Sequence, residues 1–130
     1  MSNDKLIQAA LDARQLAHAP YSNFKVGAAL ECDDGTIITG CNIENATFGL
    51  TMCAERVALF KAVSEGRKIF VRVCVATDAK KPTPPCGSCR QLLWEFGGDL
   101  EVLLADPTGL RETHRLADLF PHAFDGKNIG

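Results

Sequence analysis

Ile69-Phe-Val-Arg-Val-Cys-Val-Ala76 is apolar almost throughout, and no other segment restricts the possible folds as much. A strand with one wet face alternates apolar and polar residues, whereas a near-continuous apolar run belongs to a strand covered on both sides. Helices above and below the sheet supply that cover. Leu100-Glu-Val-Leu-Leu-Ala105 is a second strand.

The rest of the chain supplies the layers. Residues 4 to 18 read as a helix, capped by Ser2, Asn3 or Asp4, with Leu6, Ile7, Ala10, Leu11, Ala13 and Ala17 at helical spacing. Pro20 ends it. Residues 24 to 31 alternate like a strand, Asp33-Asp34-Gly35 signals a hairpin turn, and residues 36 to 42 return. A second helix runs from Cys53 to about Ser64, with Gly66 as its C-terminal cap. A third runs from about Cys86 to Phe96 after Pro85, and stops at Gly97-Gly98. Leu110 to His114 is a short strand or extended arm, and Leu116 to Phe120 at most a short helix. One hairpin followed by βαβ crossovers predicts an α/β fold: a three-layer α/β/α sandwich around a mixed sheet of about five strands, in one domain spanning residues 1–130.

Composition narrows the function. At 130 residues, 46% hydrophobic and 23% charged, the chain can build a core without disulfide staples. Its net charge of −2, with Lys and Arg scattered, leaves no basic stripe for nucleic-acid phosphates. No apolar run reaches membrane-spanning length. The N-terminal residues pass directly into an amphipathic pattern without a leader-type apolar core, so a cytoplasmic location is expected. Six cysteines in that setting point to reduced thiols or metal.

Three of them fall in a pattern. Thr51-Met-Cys53-Ala-Glu55-Arg56 and Pro85-Cys86-Gly-Ser-Cys89 each open a predicted helix. A helix start favours the thiolate that a metal requires. Both helices follow strands of one sheet, so their starts share a sheet edge and the sulfurs can converge. Three thiolates hold a zinc with one position left for water, as catalytic sites do. Glu55 is too close to Cys53 to chelate easily beside it, yet near enough to take a proton from that water. Arg56 is placed to donate hydrogen bonds to the sulfurs and offset their negative charge. Read from the residues alone, Cys86-Gly-Ser-Cys89 also suits a redox pair, and the cluster a structural zinc. Either alternative leaves Glu55 idle. Asn42 and Glu44 lie at a strand end, where crevices of open sheets lie, or serve as turn and capping residues.

These motifs resemble the three-cysteine form of the zinc deaminase signature. Ala19-Pro-Tyr-Ser-Asn-Phe24-Lys-Val-Gly-Ala-Ala29, Gly40-Cys-Asn42-Ile-Glu44-Asn45-Ala46, Phe60-Lys-Ala-Val-Ser-Glu-Gly66 and Leu119-Phe-Pro-His-Ala-Phe124 extend the likeness to the small homotetrameric cytidine deaminases over nearly the whole chain. The resemblance implies that Cys53, Cys86 and Cys89 bind one Zn²⁺ per chain. It implies that Glu55 shuttles protons while cytidine becomes uridine, with Arg56 supporting the thiolates. Asn42 and Glu44 would grip the ribose 3′-hydroxyl, with Phe24 and Ala54 beside the base. Phe124 would stack on the pyrimidine from a neighbouring subunit of a homotetramer. The implied partner is a free nucleoside, with no nucleic acid and no membrane. A nucleoside-like antibiotic or modified base is the alternative substrate, and Asn42-Ile-Glu44 argues for the ribose. Phe48, where the family often has Tyr, together with Ser88 and Trp94, departs from the commonest pattern.

Overall fold

A computed structural model describes residues 2–47, 50–78 and 87–119. Among these residues, five strands form one sheet: β1 (Val26–Cys32), β2 (Ile37–Cys41), β3 (Phe70–Thr77), β4 (Glu101–Asp106) and β5 (Gly109–Arg115), in the order β2-β1-β3-β4-β5. The helices are α1 (Ser2–Arg14), α2 (Ala54–Ser64), α3 (Gly87–Gly97) and the short α4 (Leu116–Leu119). β3 and β4 are parallel, and every other adjacent pair is antiparallel. The mixed sheet and the order of elements agree with the reading from sequence.

β3 is the strand whose apolar run demanded cover on both faces, and it receives it. Val73 and Val75 pack with Leu59 of α2 and Leu93 of α3. Cys74 and Ala76 pack on the opposite face with Leu6 and Ala10 of α1. The layers are therefore α1, then the sheet, then α2 with α3.

β1 lies between β2 and β3 and is antiparallel to both, so β2 and β3 run in the same direction. Each is followed by a helix on the same face, which brings the starts of α2 and α3 to one edge of the sheet. Two glycines let helices come down onto the ladder there. A Cβ on Gly27 would lie 1.9 Å from the Ala10 carbonyl oxygen of α1. A Cβ on Gly40 would lie 2.5 Å from both the Ala54 oxygen and the Ala58 nitrogen of α2. The two sit on neighbouring rungs, Gly27 opposite Cys41 and Ala28 opposite Gly40.

Element ends differ from the sequence reading where tertiary hydrogen bonds take over. α1 stops at Arg14, not residue 18, and residues 15–17 continue as tighter turns. His18 then donates its N–H to the Asn42 carbonyl at 3.0 Å and accepts the Glu44 N–H at 2.7 Å, so the last expected helical turn is exchanged for a bridge to the segment after β2. β1 begins at Val26 and not Phe24, after Asn23 with φ 57. Asn tolerates that left-handed conformation better than most residues. β5 is a full strand, although none of its side chains is buried.

Candidate active site

Cys53 is the N-cap of α2, in extended conformation, and its carbonyl accepts the Val57 N–H at 3.0 Å. Its side chain makes no capping bond to the helix. The residues just before it are clamped by a two-bond bridge, in which Ile43 and Met52 each donate N–H to the other's carbonyl at 2.9 Å. Cys89 lies in the first turn of α3 and is buried. Cys53 and Cys89 thus sit at two helix starts on the same sheet edge.

Glu55, in the first turn of α2, is only 5% exposed. Burial pushes its carboxyl up to about 7, and the nearby charge of Cys53 adds to the rise. Its own backbone N–H, a hydrogen bond donated by the Cys89 thiol and the Arg56 charge pull the other way without cancelling the effect. A buried carboxyl held between two thiols is the environment expected of an acid–base group working near neutral pH.

Arg56 contacts the Met52 sulfur through Nη1 at 4.0 Å, while its Nε is buried with no hydrogen-bond partner. An orphaned buried N–H costs roughly 1–3 kcal/mol. A metal-held thiolate is an acceptor of the kind this guanidinium lacks. Two soft sulfur donors, a buried acid and an unpaired guanidinium N–H together fit a zinc site. The third predicted ligand, Cys86, lies outside the described residues. So do Phe48, Phe124 and His122.

Asn42 and Glu44, the residues predicted to bind the sugar, both hold the chain together through their side chains. Asn42 is 8% exposed, and its side chain donates to the Phe24 carbonyl at 2.8 Å and accepts the Val26 N–H at 2.9 Å. That amide pins the entry to β1. One amide hydrogen and one carbonyl lone pair remain. Glu44 accepts the backbone N–H of Tyr21 at 3.0 Å and of Ser22 at 3.1 Å, and also the Ser22 hydroxyl. The Ser22 hydroxyl first, and then these N–H bonds, hold its carboxyl below the usual range. Phe24 is 38% exposed, and Ala54 is fully buried at the first helical position.

Tyr21, Ser22, Glu44 and Thr51 line a cavity of ≈ 390 Å³. Sequence reasoning gave no role to Tyr21, Ser22 or Thr51. The available signal was a loop, Pro20 to Asn23, whose backbone N–H groups need acceptors, facing a carboxylate just past β2. Thr51 Oγ1 is buried without a hydrogen-bond partner.

Residues 1–105 match the family described as the cytidine and deoxycytidylate deaminase zinc-binding region. The chain is 48% identical over 130 residues to a cytidine deaminase of Halalkalibacterium halodurans, covering 99% of this chain and 98% of that one. It is 50% identical over 117 residues to a probable cytidine deaminase of Dictyostelium discoideum, covering 87% and 79%. Among solved structures it resembles cytidine deaminase from Burkholderia pseudomallei, with a TM-score of 0.90, 47% identity and coverage of 95% and 100%.

Proposed function

The chain belongs to the cytidine and deoxycytidylate deaminase family, and we infer from that membership that it is a cytidine deaminase. It hydrolyses the C4 amino group of free cytidine and 2′-deoxycytidine, giving uridine or 2′-deoxyuridine and ammonia, the chemistry of pyrimidine salvage. Cys53, Cys86 and Cys89 hold one zinc ion per chain. Bound there, zinc supplies the Lewis acidity that lets water act as a nucleophile near neutral pH.

The observation that carries the reading is the buried Glu55 carboxyl beside two thiols, with its proton affinity raised to the neutral range. Near pH 7 such a group both accepts and returns a proton readily. Glu55 takes the proton released as water adds to C4 and delivers it to N3. It then takes the proton of the new C4 hydroxyl and passes it to the amine as the C4–N bond breaks, so that the C4 carbonyl forms and ammonia departs. Arg56 donates to the cysteine sulfurs and offsets their charge. Ala54 has no side chain beyond Cβ, which leaves room for the pyrimidine beside Glu55. Asn42 and Glu44 bind the ribose 3′-hydroxyl with their remaining capacity, and Phe24 packs against the base.

Four copies assemble, and Phe124 completes the site of a neighbouring subunit. The exposed Leu50 and Phe60 support an assembly, because large apolar side chains left in water favour burial by a second surface. No helix among the described residues is long and apolar enough to cross a membrane. The enzyme works in the cytoplasm.

The test follows loss of cytidine absorbance and measures metal on the same sample. One zinc per chain with turnover is expected. Zinc without turnover would leave only a structural metal, and turnover unaffected by Glu55→Ala would remove Glu55 from the mechanism.

A further inference from the structure

The first turn of the catalytic helix meets β2 at a glycine. α2 rests on the backbone of β2 at Gly40, where even a methyl group would lie 2.5 Å from the Ala54 oxygen and the Ala58 nitrogen, and 3.0 Å from Val57 Cβ. Ala54 and Ala58 are fully buried, so the contact is closed on every side. The Ala54 oxygen and Ala58 nitrogen are the two ends of one i→i+4 helical hydrogen bond. Moving them moves the turn that carries Cys53 and Glu55.

We propose that Gly40 is a positioning residue: by letting α2 sit directly on β2, it sets the depth of Cys53 and Glu55 relative to Cys89. The inference rests on the assignment of Cys53 and Cys89 as metal ligands. Cys89 belongs to α3, a separate helix that follows β3, whereas the three nearest neighbours of a Gly40 Cβ all lie on α2, so a shift of α2 changes the spacing between the two sulfurs instead of carrying both along. The bridge between Ile43 and Met52 fixes the chain just before Cys53, so a push from below tilts the first turn against a held point. A Cβ needs more than 3.0 Å from such neighbours, so α2 must rise by about half an ångström. Metal sites keep their distances within about ±0.2 Å, and misplacing a catalytic group by about 1 Å can cost roughly 10²-fold in rate.

The experiment compares Gly40→Ala with Leu59→Ala. Leu59 is buried on the same helix, and its truncation loosens α2 without lifting its first turn. Zinc affinity is read by competition with a chelator, and ligand geometry by the absorption bands of the cobalt-substituted protein. Gly40→Ala is expected to weaken zinc by about 10-fold or more, to alter the cobalt spectrum, and to lower kcat by roughly 10–100-fold with little change in KM. Leu59→Ala is expected to lower Tm at least as much and to keep zinc affinity within about threefold. If Gly40→Ala does not fold, Ala58→Ser crowds the same contact from the helix side and is read in the same way. Unchanged zinc affinity and cobalt spectrum in the Gly40 or Ala58 variant, or equal losses in Leu59→Ala, would overturn the proposal. Failure of the wild-type protein to bind zinc would instead overturn the metal assignment itself.

Discussion

Glu55 and Asn42 show how differently single residues reveal themselves. Glu55→Gln keeps the shape and the burial but removes the titrating group. It is expected to fold, retain one zinc, and lose at least about 10²-fold in kcat, measured by cytidine turnover and metal content. Its candidacy was legible in sequence, because Cys53-Ala-Glu55 sets a carboxyl two residues from a predicted metal ligand. What the sequence could not give is how deeply it is buried, which depends on how α2 and α3 converge. Asn42 was read as a sugar contact or a turn residue, and the structure gives its side chain a further duty as the staple between Phe24 and Val26. Asn42→Ala leaves a part-buried carbonyl and N–H unpaired, costing about 1–3 kcal/mol. Calorimetry should show a lower Tm, and kinetics a raised KM for cytidine, since Phe24 loses its anchor and the proposed 3′-hydroxyl contact goes with it.

At the level of elements, the β1–β2 hairpin carries a pH signature of its own. Asp34 in its turn accepts the Thr36 N–H at 3.0 Å and an Arg67 bond at 2.6 Å. The backbone bond first, then Arg67, lowers its carboxyl from 3.8 to about 2. A carboxyl depressed by folding stabilises the protein above its unfolded pKa, and that contribution is lost as pH falls from about 4 to about 2. Asp34→Ala should therefore lower Tm at pH 7 and flatten the acid limb of the stability profile in that window. The turn itself was legible, since Asp-Asp-Gly suits a hairpin and Gly35 adopts φ 88. The end of α1 was not. Nothing local to Ala17 or His18 announces that Asn42 and Glu44, far along the chain, will claim the backbone of His18. Local periodicity reads helices well until a distant partner offers a competing hydrogen bond.

For the whole molecule, the sheet direction explains how two separate sequence blocks come together: β2 and β3 point the same way, so the helices after them begin at one edge. If Phe124 acts across a subunit boundary, two inactive variants should rescue one another. Mixed assemblies of Glu55→Gln and Phe124→Ala contain sites with Glu55 from one chain and Phe124 from its neighbour. Co-expression should restore turnover to a substantial fraction of wild type, while each variant alone stays poor. No recovery would place Phe124 within its own chain's site or outside the site altogether. Among the described residues, β5 is the outermost strand on its side of the sheet and carries Arg111, Glu112 and Arg115 while burying none of its side chains. Charges along an outermost strand make it a poor template for another chain's backbone. The same strand that adds little to the interior thereby keeps concentrated protein from stacking edge to edge into aggregates.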